Sequence, residues 1–174
     1  MTTVDKPVFL IGYRGTGKST VARHLAERLA FDFVDVDAEI ERRAGKSIAA
    51  IFADDGEAAF RDMECCLVEE LSGLRRTVVA LGGGAVLREA NRAAIRAAGP
   101  IVWLTAPVDA ILARLAADPA TAGRRPRLTK AGGREEVEAV LAERTPIYRQ
   151  CATLVVDTDG KTCAQVADEI AASL

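Results

Sequence analysis

A chain of 174 residues that is 49% hydrophobic and 28% charged has the composition of one folded domain with a sizeable core. Its formal net charge of −2 leaves no electrostatic footprint for a nucleic acid, and no apolar run is long enough to span a bilayer. Four cysteines, at 65, 66, 151 and 163, are too scattered for a disulfide framework, and the lone His24 has no Cys/His partners for a zinc site. The first residues, Met1 to Lys6, carry no basic-then-apolar signal pattern, so a cytoplasmic protein is expected.

The first element in chain order is a short apolar run ending at Ile11, with a strand expected over Val8–Ile11. Gly12-Tyr13-Arg14-Gly15-Thr16-Gly17-Lys18-Ser19 follows and fits G-x-x-x-x-G-K-[ST], a phosphate-binding loop. A helical pattern over Thr20 to Leu29 comes next, giving the strand, loop and helix order in which such a loop works. The glycines let the backbone turn tightly and aim its N–H groups at one anion. Lys18 is placed to reach the β- and γ-phosphates, and the Ser19 hydroxyl to ligate Mg²⁺. Lys18 is expected to be solvated without a nucleotide, so its replacement should spare the fold.

A second strand is expected over Phe33–Val36, followed at once by Asp37. Side chains two apart on a strand share a face, so Asp35 and Asp37 are expected to project together. The carboxylate nearer Ser19 would serve the metal, and the other would orient an attacking hydroxyl or take its proton. A helix cap from Asp37 is the plainer reading. Arg61 and Glu64 lie three apart on a helical pattern and can pair, and a guanidinium there suits a substrate carboxylate. A third strand, Val78–Leu81, runs into Gly82-Gly83-Gly84, where a ligand could approach bare backbone. The fourth strand, Ile101–Leu104, ends in Thr105 and supplies no carboxylate.

Residues 117–133 are basic and rich in Gly and Pro, with Arg124, Arg125, Arg127 and Lys130, and read as a mobile lid over a nucleotide. Arg144 is a second candidate for a carboxylate clamp, and a fifth strand is expected over Thr153–Val156. Five strands alternating with helical patterns predict a parallel sheet with helices on both faces, a three-layer α/β/α architecture, with ligands at the strands' carboxyl ends.

Taken together, these residues resemble the shikimate kinase family, of the nucleoside-monophosphate-kinase-like branch of the P-loop NTPase fold. The loop alone is common. The specific part is its combination with Asp35-x-Asp37, Phe52-x-x-x-Gly56-Glu57-x-x-Phe60-Arg61-x-x-Glu64, the triple glycine, Arg125-Pro126 and Arg144-x-Pro146-x-Tyr148. The resemblance implies MgATP-dependent phosphorylation of the 3-hydroxyl of shikimate by a single domain spanning 1–174, expected as a monomer without nucleic-acid or membrane partners. It implies ATP contacts from Gly15 to Thr20, metal contacts from Ser19 and Asp35, and Asp37 as the base. It also implies a carboxylate clamp of Arg61 and Arg144, substrate contacts at Gly82, Gly83 and Gly84, a catalytic lid Arg125 on the phosphates, and Lys161 near adenine. Where the family's lid reads Arg-Pro-Leu-Leu, this chain has Arg125-Pro126-Arg127-Leu128, so which of Arg124, Arg125 and Arg127 meets the phosphates stays open. Gluconate, another polyhydroxy acid, is the alternative substrate. A nucleotide switch acting through partners is the rival of a different class, though the guanine-reading Asn-Lys-x-Asp is absent.

Overall fold

The computed structural model describes residues 5–118 and 132–174. Most of the expected lid, including Arg124, Arg125 and Arg127, lies outside the described residues. Five strands, β1 (Val8–Ile11), β2 (Asp32–Asp35), β3 (Thr77–Ala80), β4 (Ile101–Thr105) and β5 (Leu154–Asp157), form one parallel sheet in the order β2-β3-β1-β4-β5. The central strands are apolar on both faces, as a covered parallel sheet requires.

Alternation along the strands divides the core. Val8 and Leu10 of β1 join Val78 and Ala80 on one face, packed against α1 (Lys18–Leu29) and the C-terminal helix Cys163–Ser173. Phe9 and Ile11 join Val79 and Trp103 on the other. That face meets α2 (Val36–Ala44), α3 (Ile48–Asp54), α4 (Glu57–Ser72), α5 (Glu89–Ala98) and the long helix Gly133–Cys151. With α6 (Val108–Ala117) in between, we number the last two helices α7 (Gly133–Cys151) and α8 (Cys163–Ser173). A smaller cluster of Tyr13, Ile111, Val137 and Val140 fastens the phosphate loop to α6 and α7. The expected α/β/α layering is therefore present.

One expectation fails locally. The second strand stops at Asp35, and Val36 already begins α2. Asp35 is the N-cap of that helix, its carboxylate accepting from the Ala38 amide at 3.0 Å. Asp37 lies in the helix's first turn, where a negative charge is favoured. The two carboxylates are thus not neighbours on a strand face, and the cap is Asp35 rather than Asp37.

Candidate active site

The loop after β1 follows from its glycines. Gly12 has φ 142°, and a Cβ there would stand 2.6 Å from the Leu104 carbonyl oxygen, so the loop can lie against β4 only without a side chain. The chain then winds into α1, with Gly17 left-handed at the N-cap. The Thr16 hydroxyl donates to the Tyr13 carbonyl at 2.7 Å. Lys18 departs from expectation: it is buried, and its ammonium donates to the carbonyls of Gly12 at 2.7 Å and Tyr13 at 2.9 Å. An ammonium group enclosed by its own loop cannot stay bare, so it takes the nearest acceptors.

The Ser19 hydroxyl donates to the Asp35 carboxylate, so an oxygen pair from α1 and the β2–α2 corner lies beside the phosphate loop. Among the described residues no group of three or more His, Cys, Asp or Glu gathers. A hydroxyl and one carboxylate suit a hard divalent cation that arrives with phosphate oxygens and waters, and would not hold a dedicated metal centre.

Beyond the loop opens a cleft of about 710 Å³, lined by Gly15, Lys18, Ser19, Thr20, Asp35 and Arg114 among others. Arg114, on α6, donates to the Gly15 carbonyl at 3.3 Å and to the Thr158 hydroxyl at 2.9 Å, bracing the loop from the far side. No local signal marks that arginine. Lys161 is not brought to this cleft: its exposed ammonium pairs with Glu169 at 2.6 Å.

A second, smaller pocket adjoins it. Asp37, Arg61, Arg144, Phe52 and Phe60 line it, together with Gly82, Gly83 and Gly84. The triple glycine follows β3, and none of the three takes a positive φ; space is what excludes a side chain there. A Cβ on Gly84 would lie 2.5 Å from an Arg61 nitrogen. A Cβ on Gly82 would lie 3.0 Å from both Asp37 and Glu64 oxygens. Charged tips therefore cross the bare backbone. Tyr148, fully buried with its ring tilted against Trp103, donates its hydroxyl to the Gly83 carbonyl at 2.5 Å and fixes that peptide. Sequence reasoning had Tyr148 within a motif but gave it no task.

Arg61 does pair with Glu64, at 2.8 Å, and the pair is part-buried rather than superficial, with Glu64 only 1% exposed. Burial pushes the Glu64 carboxyl above its ordinary range, with the charges of Arg61 and then Arg144 pulling it back. Arg144 is only 7% exposed, and among the described residues no carboxylate lies within ion-pair distance of it. One of its guanidinium nitrogens lies 3.3 Å from where a Gly83 Cβ would be. A buried cation without its own anion is poised for one from outside.

A phosphate loop, a braced cleft and an adjoining pocket whose buried guanidinium has no ion pair among the described residues have the form of a P-loop phosphotransferase site. The family model described as shikimate kinase matches residues 14–174. The shikimate kinase of Rhodopirellula baltica is 47% identical, over 94% of this chain and 87% of that protein. That of Nitratidesulfovibrio vulgaris is 48% identical, over 92% and 91%. A solved shikimate kinase from Acinetobacter baumannii, in complex with shikimate, superposes with a TM-score of 0.89 at 34% identity, covering 97% of this chain and 92% of that one. A gluconokinase from Sinorhizobium meliloti aligns at TM-score 0.63 and 17% identity, which shows the shared fold alone. The chain belongs to the shikimate kinase family.

Proposed function

We propose that this chain transfers the γ-phosphoryl group of ATP to the 3-hydroxyl of shikimate, giving shikimate 3-phosphate and ADP. The observation that carries the reading is Arg144: buried, without a carboxylate partner among the described residues, and set against Gly83 one pocket away from the phosphate loop. Arg144 and Arg61 hold the substrate carboxylate, remote from the reacting oxygen. The Gly82 to Gly84 backbone lies along the ring, held in register by Tyr148. Asp37 lines both pockets and orients the hydroxyl, accepting its proton as the new bond forms.

The amides of Gly15 to Thr20 cradle the phosphates, and Lys18 exchanges its loop carbonyls for phosphate oxygens. Mg²⁺ is the divalent ion in this reading, with Ser19 and Asp35 as the residues that hold it; when bound it offsets phosphate charge. A lid arginine, Arg125 or its neighbours Arg124 and Arg127, adds positive charge over the phosphates. Lys161 has no place in this reading unless its pair with Glu169 opens, and Arg114 is the better placed cation at the cleft. The protein works in the cytoplasm as a monomer on two small molecules. An ADP-release assay with MgATP and either shikimate or gluconate tests the proposal. Turnover with shikimate is expected, and turnover confined to gluconate would reject it.

A further inference from the structure

The nucleotide cleft and the acid pocket are lined by largely different residues, but three, Arg14, Asp37 and Ile48, line both. Phosphoryl transfer has to occur where the two spaces meet, because the donor lies in one and the acceptor in the other. Asp37 is the carboxylate at that junction, Ile48 contributes apolar surface, and Arg14 is the cation. Building on the phosphotransferase reading, we infer that Arg14, a variable position inside the phosphate loop, is a catalytic residue whose guanidinium contacts the phosphoryl group in transit.

Its position is built rather than accidental. One terminal nitrogen donates to Glu136 of α7 at 2.5 Å, and Glu136 is only 3% exposed. The neighbouring Tyr13 is buried among Ile111, Val137 and Val140, so the loop backbone is seated on the same helix. Arg14 Nε is buried with no hydrogen-bond partner among the described residues. A guanidinium has five donors in a planar fork. A carboxylate gripping one corner fixes the plane and leaves other donors for a second anion. In the reaction the bond from Pγ to the bridging oxygen of ADP breaks as the bond to the acceptor oxygen forms, and the acceptor proton passes to Asp37. Negative charge spreads over the three equatorial oxygens in transit, and a cation fixed in advance at that point stabilises it more than it stabilises bound ATP. Lys18 lines the nucleotide cleft and not the acid pocket, whereas Arg14 lines both.

The test compares wild type, Arg14→Ala and Glu136→Gln. Wild-type turnover of shikimate checks the underlying activity separately; if wild type fails there, the functional reading falls, not this inference alone. For Arg14→Ala, kcat is expected to fall about 100-fold. Calorimetric Kd values for ADP and shikimate should stay within about threefold, and millimolar guanidinium chloride should restore activity about fivefold or more. A kcat within about threefold of wild type, a loss carried wholly by the two Kd values, or no response to guanidinium overturns the inference. Should the Arg14→Ala protein fail to fold, Glu136→Gln keeps the guanidinium and loosens it. Its kcat should fall about tenfold with both Kd values unchanged, and an unchanged kcat overturns the assignment.

Discussion

Replacing Arg144 with Met separates what this side chain does for binding from what it costs the empty fold. The arginine is 7% exposed and unpaired among the described residues, so in the empty protein its charge is desolvated with only the attraction of Glu64 as partial compensation. Methionine fills most of the same volume without a charge. Removing a buried cation that is only partly compensated should leave the apo fold as stable or raise its stability by about 1 kcal/mol, a Tm rise of about 2–4 °C for a domain of this length. Binding should move the other way. Charge-assisted hydrogen bonds to a carboxylate contribute about 2–3 kcal/mol, and each 1.4 kcal/mol is tenfold, so KM for shikimate should rise about 30- to 150-fold. KM for ATP should change little, because Arg144 does not line the nucleotide cleft. The assay is a coupled ADP-release titration beside a thermal melt of the empty enzyme. An unchanged KM for shikimate, or an apo Tm lowered by more than about 4 °C, would refute the idea of a cation waiting for its anion.

Lys18→Met should abolish most turnover, and it should also lower apo stability by about 1–2 kcal/mol, because the buried Gly12 carbonyl loses its donor and the Tyr13 carbonyl is left with the Thr16 hydroxyl alone; an unaltered melt would contradict the bonds to Gly12 and Tyr13. Tyr148→Phe leaves the Gly83 carbonyl without its donor and should cost about 1–2 kcal/mol of stability while raising KM for shikimate more than KM for ATP, checked by urea unfolding and steady-state kinetics. Glu64 carries a pH signature: burial raises its carboxyl above 4.5, so the folded state holds that proton more tightly than the unfolded chain does. Its contribution to stability is whole below about 4.5 and is lost as pH climbs through the raised value. Urea melts of wild type and Glu64→Gln across that range should show wild type losing ground as pH rises; a flat or reversed difference would dismiss the burial argument.

The layered sheet was legible because apolar runs of four or five residues alternate with longer helical stripes, and each observed strand overlaps its expected range within a residue or so. Asp35-x-Asp37 was misread because period-two logic holds only while the strand lasts. The correcting signal was present: Val36 and Ile40, four apart, are the first buried pair of α2. Two site residues could also have been found by period. Glu64 occupies the stripe Phe60, Leu67, Val68, Leu71 of α4, and Arg144 the stripe Val137, Val140, Tyr148, Cys151 of α7. A charged residue in a core stripe has to find a buried partner or a ligand. Arg114 and the Arg14–Glu136 pair were invisible because their contacts join positions far apart in sequence, 99 and 122 residues respectively. Lys18 was misjudged because its acceptors are carbonyls of its own loop, which no side-chain pattern reveals.

Lys18 and Arg144 start from opposite conditions, and that difference divides their effects between the kinetic constants. When a polyphosphate arrives, Lys18 has to release two loop carbonyls before it gains phosphate oxygens, so much of the new attraction replaces an old one. What it adds is largest where phosphate charge grows, during transfer, and its loss should fall mainly on kcat. Among the described residues Arg144 has no ion pair to surrender to an incoming acid. Its full attraction is available in the ground state, far from the reacting oxygen, and remains nearly constant through transfer. Its loss should therefore appear mainly in KM. In the proposed reaction, then, the contacts that two buried cations of equal formal charge make in the empty protein decide which of them serves affinity and which serves rate.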